Sequence, residues 1–412
     1  MRNKKIAKKI LQRLLQHGYQ AFLVGGYVRD LLLKRPTTDI DVATDARPET
    51  ILHLFEKAIP TGLKHGTVTV IEGGVSVEIT TFRKEGKYLD FRHPSEVEFV
   101  TNLYDDLSRR DFTMNAIAMD YNERLIDPFN GLSAISNRTI KSVGNPNERF
   151  LEDPLRMLRA IRFAAQLEFQ IETKTLQAIE EFASYLQYIA IERVKVELDK
   201  IMRSSHPELG IELLYSLKLV RYFKGMVDGP LSQIDSKKVW QTINMTQDPY
   251  IRWCILFEQL QPKERIKVME GLRFSNQEKK EILNIFKAYS IIKKDQKLED
   301  LKKCLIETDE EICQKALELT YLFGYIHEKD MLKLKQTFIE VTKELSVRSI
   351  KDLNISGKDL LRIIDEPPGP WVQYLLQELF HLVVFHGLPN EREILLQQVK
   401  NLKEKVSNEG KD

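Results

Sequence analysis

The stretch Val24-Gly25-Gly26-Tyr27-Val28-Arg29-Asp30, followed at Asp39-Ile40-Asp41, constrains this chain more than any other. Ala21 to Val24 reads as a strand, Gly25-Gly26 as a turn, and the residues from about Tyr27 as a helix. Adjacent glycines let the backbone approach a ligand closely, and the free N–H groups of a helix start favour a phosphate. Thr38 to Ala43 reads as a second short strand. Alternation there puts Asp39 and Asp41 on one face, with Ile40 and Val42 on the other. Two carboxylates so placed can share one or two hard cations such as Mg²⁺. A Gly-Gly before a helix is by itself only a turn, and an Asp-x-Asp by itself is solvated or capping. In this order and with this short connection they point to phosphoryl or nucleotidyl transfer, because two unpaired carboxylates on one face are costly without a cation.

The head continues in the same style. Val68 to Ile71 and Val75 to Thr81 read as strands paired about Glu72-Gly73-Gly74. Glu78 breaks the pattern of the second strand, either as a third carboxylate facing the Asp pair or as an edge-strand surface residue. Residues 83–97 are charged and rich in breakers, so they read as a loop beside the site. Arg109-Arg110-Asp111 then runs into an apolar strand. An Arg-Asp pair there can hold a ribose hydroxyl or a phosphate, or be a surface ion pair of little energetic weight. From about residue 140 strand signals stop, and helices joined by short turns follow to the end. The fold expected is therefore α+β: a mixed sheet with helices, then an all-helical remainder.

Phe150 to Phe163 reads as a helix start with Pro154 in its first turn and Asp153 at its positive end. Leu155, Leu158, Ile161 and Ala165 make the packing stripe. Asp153, Arg156, Arg159 and Arg162 make a ridge at every third residue. With few acids nearby in sequence, three arginines repel one another unless an anion binds; the plain alternative is a solvated ridge. Cytosine and adenine each offer an exocyclic amine to Asp153 beside a ring nitrogen that accepts from Arg156. Uracil and guanine place a carbonyl where the amine would be. Such a pair can choose C and A without a nucleic-acid template.

These stretches resemble motifs A, B, D and E of the class II bacterial CCA-adding enzymes, tRNA nucleotidyltransferases of the polymerase-beta-like superfamily. Motif A is Gly25 to Asp41, and motif B is Arg-Arg-Asp-Phe-Thr-x-Asn-Ala from Arg109. Motif D is Glu-Asp-x-x-Arg from Glu152, and motif E is Ile191-Glu192-Arg193-Val194 with Glu197, a helix start that supports the pocket. The resemblance implies addition of C, C and A to the 3′ end of tRNA from CTP and ATP. Asp39 and Asp41, with Glu78 as a third candidate, would hold Mg²⁺. Gly25, Gly26 and Arg29 would meet the nucleotide phosphates, and Arg110 and Asp111 the sugar. Asp153 and Arg156 would choose the base, and Arg159 and Arg162 would support phosphate or base. It divides the chain into a head (1–139), neck (140–215), body (216–300) and tail (301–412). Asn354-Ile355-Ser356-Gly357 and Pro367 to Trp371 resemble a tail that grips the tRNA elbow.

Composition narrows the setting. A formal net charge of +2 gives no global basic field, so RNA contacts must come from local patches. No uncharged apolar run is long enough to span a bilayer. Cys254, Cys304 and Cys313 form no Cys-x-x-Cys, which fits a reducing cytoplasm without structural zinc. A homodimer is compatible with the residues, which do not fix oligomeric state. Three rivals remain: a CC-adding enzyme, a poly(A) polymerase, and an RNA-binding protein that has lost catalysis. The first lacks an intact loop after the Glu78-type strand, whereas Tyr88-x-Asp90-x-Arg92-x-Pro94 is present here. The second carries extra basic terminal segments, and the intact Asp39 and Asp41 oppose the third.

Overall fold

The computed structural model describes residues 2–37, 39–86, 97–226, 229–294, 296–364 and 366–409. The loop positions Tyr88, Asp90, Arg92 and Pro94 lie outside the described residues, as does Thr38. The chain divides into two compact units, residues 1–249 with 256–274, and residues 250–255 with 275–412.

The first unit begins with helix α1 (Arg2–Gln16), whose buried stripe is Ile6, Ala7, Ile10, Leu11 and Leu14. Strand β1 (Ala21–Val24) runs into helix α2 (Gly25–Leu32), which starts two residues before the expected Tyr27. Strand β2 (Ile40–Thr44) and helix α3 (Pro48–Leu54) follow. Then come β3 (Ala58–Gly62), β4 (Thr67–Glu72), β5 (Val75–Thr81), β6 (Arg83–Glu85) and β7 (Val97–Phe99). After α4 (Leu103–Ser108), strands β8 (Ala118–Met119) and β9 (Leu125–Ile126) complete a seven-stranded sheet in the order β3-β4-β5-β2-β1-β8-β9. Only β2 and β5 pair in parallel, in the register Asp41↔Glu78, so the sheet is mixed as expected.

Strand alternation sorts the side chains onto two layers. Leu23 and Val42 pack with the α1 stripe on one face. Val24 and Ala43 pack with Phe82, Leu107 and Ala118 on the other. Asp41 shares the face of Ala43, so it emerges on the side of α4 and the residues that follow it.

Helix α5 (Gly131–Ser136) leads to strand β10 (Thr139–Ile140), then helices α6 (Pro146–Glu152) and α7 (Leu155–Leu167). Two expectations are corrected here. Residues 150–152 end one helix instead of beginning another, and Asp153 is the extended corner between the two, φ −142° and ψ 95°. Pro154 enforces this, because the residue before a proline is pushed out of the helical region. Strand signals also do not stop at 140: β10 pairs in parallel with β11 (Gln170–Ile171). Two residues are too short to show an alternation. Helices α8 (Thr173–Phe182) and α9 (Ile191–Met202) follow, and the rest of this unit is helical.

The second unit is built of helices about a core that includes Leu353, Leu360, Leu379 and Leu395. Ser356 and Asp359 form a capping box at one helix start, and Trp371 Nε1 donates to the Pro367 carbonyl (2.9 Å). The free, buried thiols of Cys304 and Cys313 meet, with Sγ atoms 2.8 Å apart. Among the described residues no helix is long and apolar enough to cross a membrane.

Candidate nucleotide-transfer site

A cavity of about 850 Å³ opens in the first unit between the α2 end of the sheet and helix α7. Its wall brings together Gly25, Gly26, Arg29, Asp39 and Asp41 with Arg110, Asp111, Asp153, Arg156, Arg159 and Arg162. Glu78 is not part of that wall. It stands beside Asp41 in strand register, but its side chain is exposed.

The glycines differ in what they do. Gly25 has φ +69°, and a Cβ there would lie 2.9 Å from Arg110 Nη1 and 3.1 Å from Asp41 Oδ2. Its left-handed backbone disfavours any side chain, and a Cβ there would push against the tips of Arg110 and Asp41. A Cβ on Gly26 would meet only Arg29 Nη2 at 3.6 Å, an ordinary contact, so space within the protein does not demand glycine there.

Asp41 is pushed up to about 6 by burial, with Arg110 opposing and the negative charges of Glu78 and Asp39 adding to the rise. A carboxylate with a proton held this firmly is one that a cation would relieve. The donors are oxygens only, which suits a hard divalent ion. Among the described residues no three or more His, Cys, Asp or Glu side chains are gathered as a metal cluster, although the charge of Glu78 reaches Asp41 from the next strand.

Arg29 is 8% exposed; it donates from Nη1 to Asn115 Oδ1 (2.8 Å) and from Nε to Asp30 Oδ1 (2.9 Å). Asp106, wholly buried on α4, accepts from Arg109 Nε (3.0 Å) and from Arg110 Nη2 (3.2 Å). Asp111 was expected at the sugar, but its carboxylate is already engaged. Oδ1 accepts from Phe112 N (2.8 Å) and Asn115 Nδ2 (3.0 Å), and Oδ2 accepts from Arg159 Nε (2.8 Å). Burial alone would raise its carboxyl; Arg159 and these hydrogen bonds override that and hold it well below the usual range.

Asp153 and Arg156, the pair expected to choose the base, are braced from behind. Asp153 Oδ1 accepts from Leu155 N (3.1 Å), and Oδ2 accepts from Arg193 Nη2 (2.9 Å). Arg156 donates from Nη1 to Glu152 Oε2 (2.9 Å) and from Nη2 to the Arg109 carbonyl (3.1 Å). Arg162 pairs with Glu197 (3.1 Å). The expected shortage of acids along the ridge is thus corrected. Glu152, Asp111 and Glu197 each take one arginine of the ridge, Glu152 also holding Arg149, and Asp111 and Glu197 arrive from distant sequence. The guanidinium groups of Arg29, Arg159 and Arg162 also lie 5.0, 5.7 and 4.1 Å from the Phe163 ring centroid.

Sequence reading did not single out Asp106, Asn115 or Phe163, although Asp106 meets Arg109 and Arg110 just beyond its own helix; the approach of Arg29 to Asn115 and Phe163 comes from distant sequence. Glu197 and Arg193 were read as support for the pocket, and that is where they stand. Ten cationic and five anionic side chains line the cavity. Asp106, Glu152 and Glu197 behind the wall do not cancel the excess. The site therefore favours polyanions such as a nucleoside triphosphate or an RNA end.

Residues 21–141 match the poly A polymerase head domain family. Residues 168–228 match the probable RNA and SrmB-binding site of polymerase A, and 246–399 the putative tRNA nucleotidyltransferase domain 2. A CCA-adding enzyme of Bacillus cereus is 37% identical over 395 residues, covering 95% of this chain and 96% of the relative. The chain belongs to the CCA-adding enzymes. A CCA-adding enzyme of Pediococcus pentosaceus is also 37% identical, over 96% of this chain and 97% of its own length. The structure is similar to that of the Bacillus stearothermophilus CCA-adding enzyme in complex with CTP, with a TM-score of 0.86 and 32% identity over 98% of each chain. The fold is shared more distantly with the Thermotoga maritima CCA-adding enzyme complexed with tRNA, TM-score 0.62 at 20% identity over 97% of this chain and 95% of that one. As a CCA-adding enzyme the chain is a tRNA nucleotidyltransferase, in a family that depends on a divalent metal.

Proposed function

We propose that the protein adds C, C and A to the 3′ end of tRNA from CTP and ATP, without a nucleic-acid template. The tRNA 3′-hydroxyl attacks the α-phosphate of the nucleotide, and pyrophosphate leaves. One observation carries this reading: a single cavity is lined both by the Gly25–Asp41 strand, turn and helix and by the Asp153–Arg156 corner more than a hundred residues later.

Asp39 and Asp41 would hold Mg²⁺, which when bound supplies charge stabilisation and an activated hydroxyl. The Gly25 and Gly26 backbone and Arg29 bind the nucleotide phosphates. Arg110 meets the sugar. Asp111, engaged by Arg159, positions that guanidinium. Asp153 accepts the exocyclic amine of cytosine or adenine while Arg156 donates to the adjacent ring nitrogen. Bracing by Arg193 and Glu152 presets this pair for one hydrogen-bonding pattern. Arg159 and Arg162 steady phosphate or base.

In this reading the enzyme works in the cytoplasm, with residues 1–139 as catalytic head, 140–215 as neck, 216–300 as body and 301–412 as tRNA-binding tail. The test is incubation with a tRNA lacking its 3′ end, given CTP and ATP separately and together, with sequencing of the product. CCA from both nucleotides together supports the proposal. CC without A sinks it in favour of a CC-adding enzyme, and A-tracts on any RNA favour a poly(A) polymerase. Asp39→Ala should abolish incorporation; activity that survives it removes the catalytic assignment.

A further inference from the structure

Cations line the cavity in two kinds. The arginines at its floor are buried: Arg29, Arg156 and Arg162 are 8, 7 and 6% exposed. Each is held by the carboxylate, amide or carbonyl groups described above. Lys200 faces Glu197 at 3.5 Å, and Arg83 donates to the His65 carbonyl. Arg193 is held by Asp153. Of the ten cations, only Arg35 has no side-chain partner among the described residues, and it is exposed.

The backbone that carries Arg35 is fixed even though its side chain is free. Arg35 N donates to the Asp30 carbonyl (2.8 Å), Lys34 holds φ +55°, and Pro36 restricts Arg35, the residue before it. This loop leaves α2 and delivers the chain to Asp39 four residues later. An unpartnered guanidinium therefore stands at the rim, on the loop that connects the phosphate-binding turn to the Asp pair.

We propose that Arg35 contacts a backbone phosphate of the RNA acceptor beside its reacting 3′ end. The proposal rests on the tRNA nucleotidyltransferase reading above. A nucleoside triphosphate finds its cations among the buried, preset arginines of the floor. The larger substrate covers the rim, and its phosphodiester is the anion that reaches an exposed group there. A planar guanidinium offers two parallel donors to such a phosphate.

The experiment compares Arg35→Ala, Arg35→Lys and the native enzyme on tRNA lacking its 3′ end. It measures KM for tRNA and for CTP, and the dependence of tRNA affinity on salt. In Arg35→Ala, KM for tRNA should rise about five- to tenfold and KM for CTP should stay within about twofold. The slope of log affinity against log salt should shrink by about one, the value for one lost phosphate contact. Arg35→Lys keeps the charge and should keep most of the slope. An unchanged tRNA KM and slope overturns the proposal, and so does a rise confined to CTP, which would place Arg35 at the nucleotide. Native protein that extends no tRNA would instead refute the underlying reading, so the two failures are separable.

Discussion

Asp111 and Arg159 close on each other across 48 residues of sequence, with Arg159 Nε 2.8 Å from Asp111 Oδ2. Both belong to the cavity wall, and Asp111 is 8% exposed. This pair joins the residues after α4 to helix α7. Removing one partner from a buried pair leaves an uncompensated charge, at roughly 3–5 kcal/mol. Arg159, the charge left behind, is 34% exposed, so Asp111→Ala should lose less than this, on the order of 1–2 kcal/mol in urea unfolding, together with most of its incorporation activity. The Asp111 carboxyl is depressed in the folded state. Its contribution is present above the unfolded-state carboxylate range and is lost as pH falls toward the folded value. The difference between native and variant stability should narrow on acidification; a constant difference from pH 7 to about pH 3 would contradict the pairing.

Gly25 and Gly26 should respond differently to alanine. The left-handed φ of Gly25 and the closeness of Arg110 and Asp41 make Gly25→Ala strained by about 1–2 kcal/mol from backbone alone. Gly26→Ala should leave the melting temperature within about 1 °C, because its added methyl meets only ordinary contact in the protein. If its role is close approach of the nucleotide, Gly26→Ala still raises KM for CTP. Calorimetry with steady-state kinetics on both variants separates strain from ligand approach.

Asp41 gives a pH signature of opposite sign to Asp111. Its carboxyl is raised to about 6, so in the metal-free protein its ionisation disfavours the folded state as pH rises from the unfolded value through about 6. Divalent cation binding should offset this. The rise in melting temperature on adding Mg²⁺ should be larger at pH 7.5 than at pH 5, where a proton occupies the carboxylate. Metal-free Asp41→Asn should melt higher than native protein at pH 7.5 and nearly equal to it at pH 5. A magnesium shift independent of pH would refute the role given to Asp41.

Of the two residues proposed to choose the base, Arg193 pairs with Asp153 (2.9 Å). Arg193→Ala should leave the fold intact and let the Asp153 carboxylate swing. Discrimination of CTP against UTP in kcat/KM should then fall about tenfold, on the order of 1.4 kcal/mol of orientation. A variant with unchanged discrimination would show that Asp153 is held by the Leu155 backbone alone.

Much of the head domain is written locally. The Gly25-Gly26 turn, the Asp39 and Asp41 alternation, the hairpin about Gly73-Gly74 and the α1 stripe follow from periods and turn chemistry within a dozen residues. Gly25 at the start of a helix, Asp39 just before a strand and Asp153 at the corner before α7 bring these motifs to one cavity wall. The same local reading erred at Phe150 to Asp153, where Pro154 turns the chain between two helices. It also missed the β10–β11 pair, whose strands are two residues each.

What the sequence determined by itself is the set of functional groups and the elements that carry them, because backbone propensity and side-chain period act over a few residues. Only the tertiary structure decided which groups are spent on one another. The arginines of α7 read as a repelling ridge until Asp111 and Glu197 arrive from other elements. Glu78 read equally well as a third carboxylate or as an edge-strand surface residue, and only the fold shows its side chain exposed and outside the cavity wall. Electrostatic partnership depends on distance in space, and no local pattern encodes the approach of residues tens of positions apart.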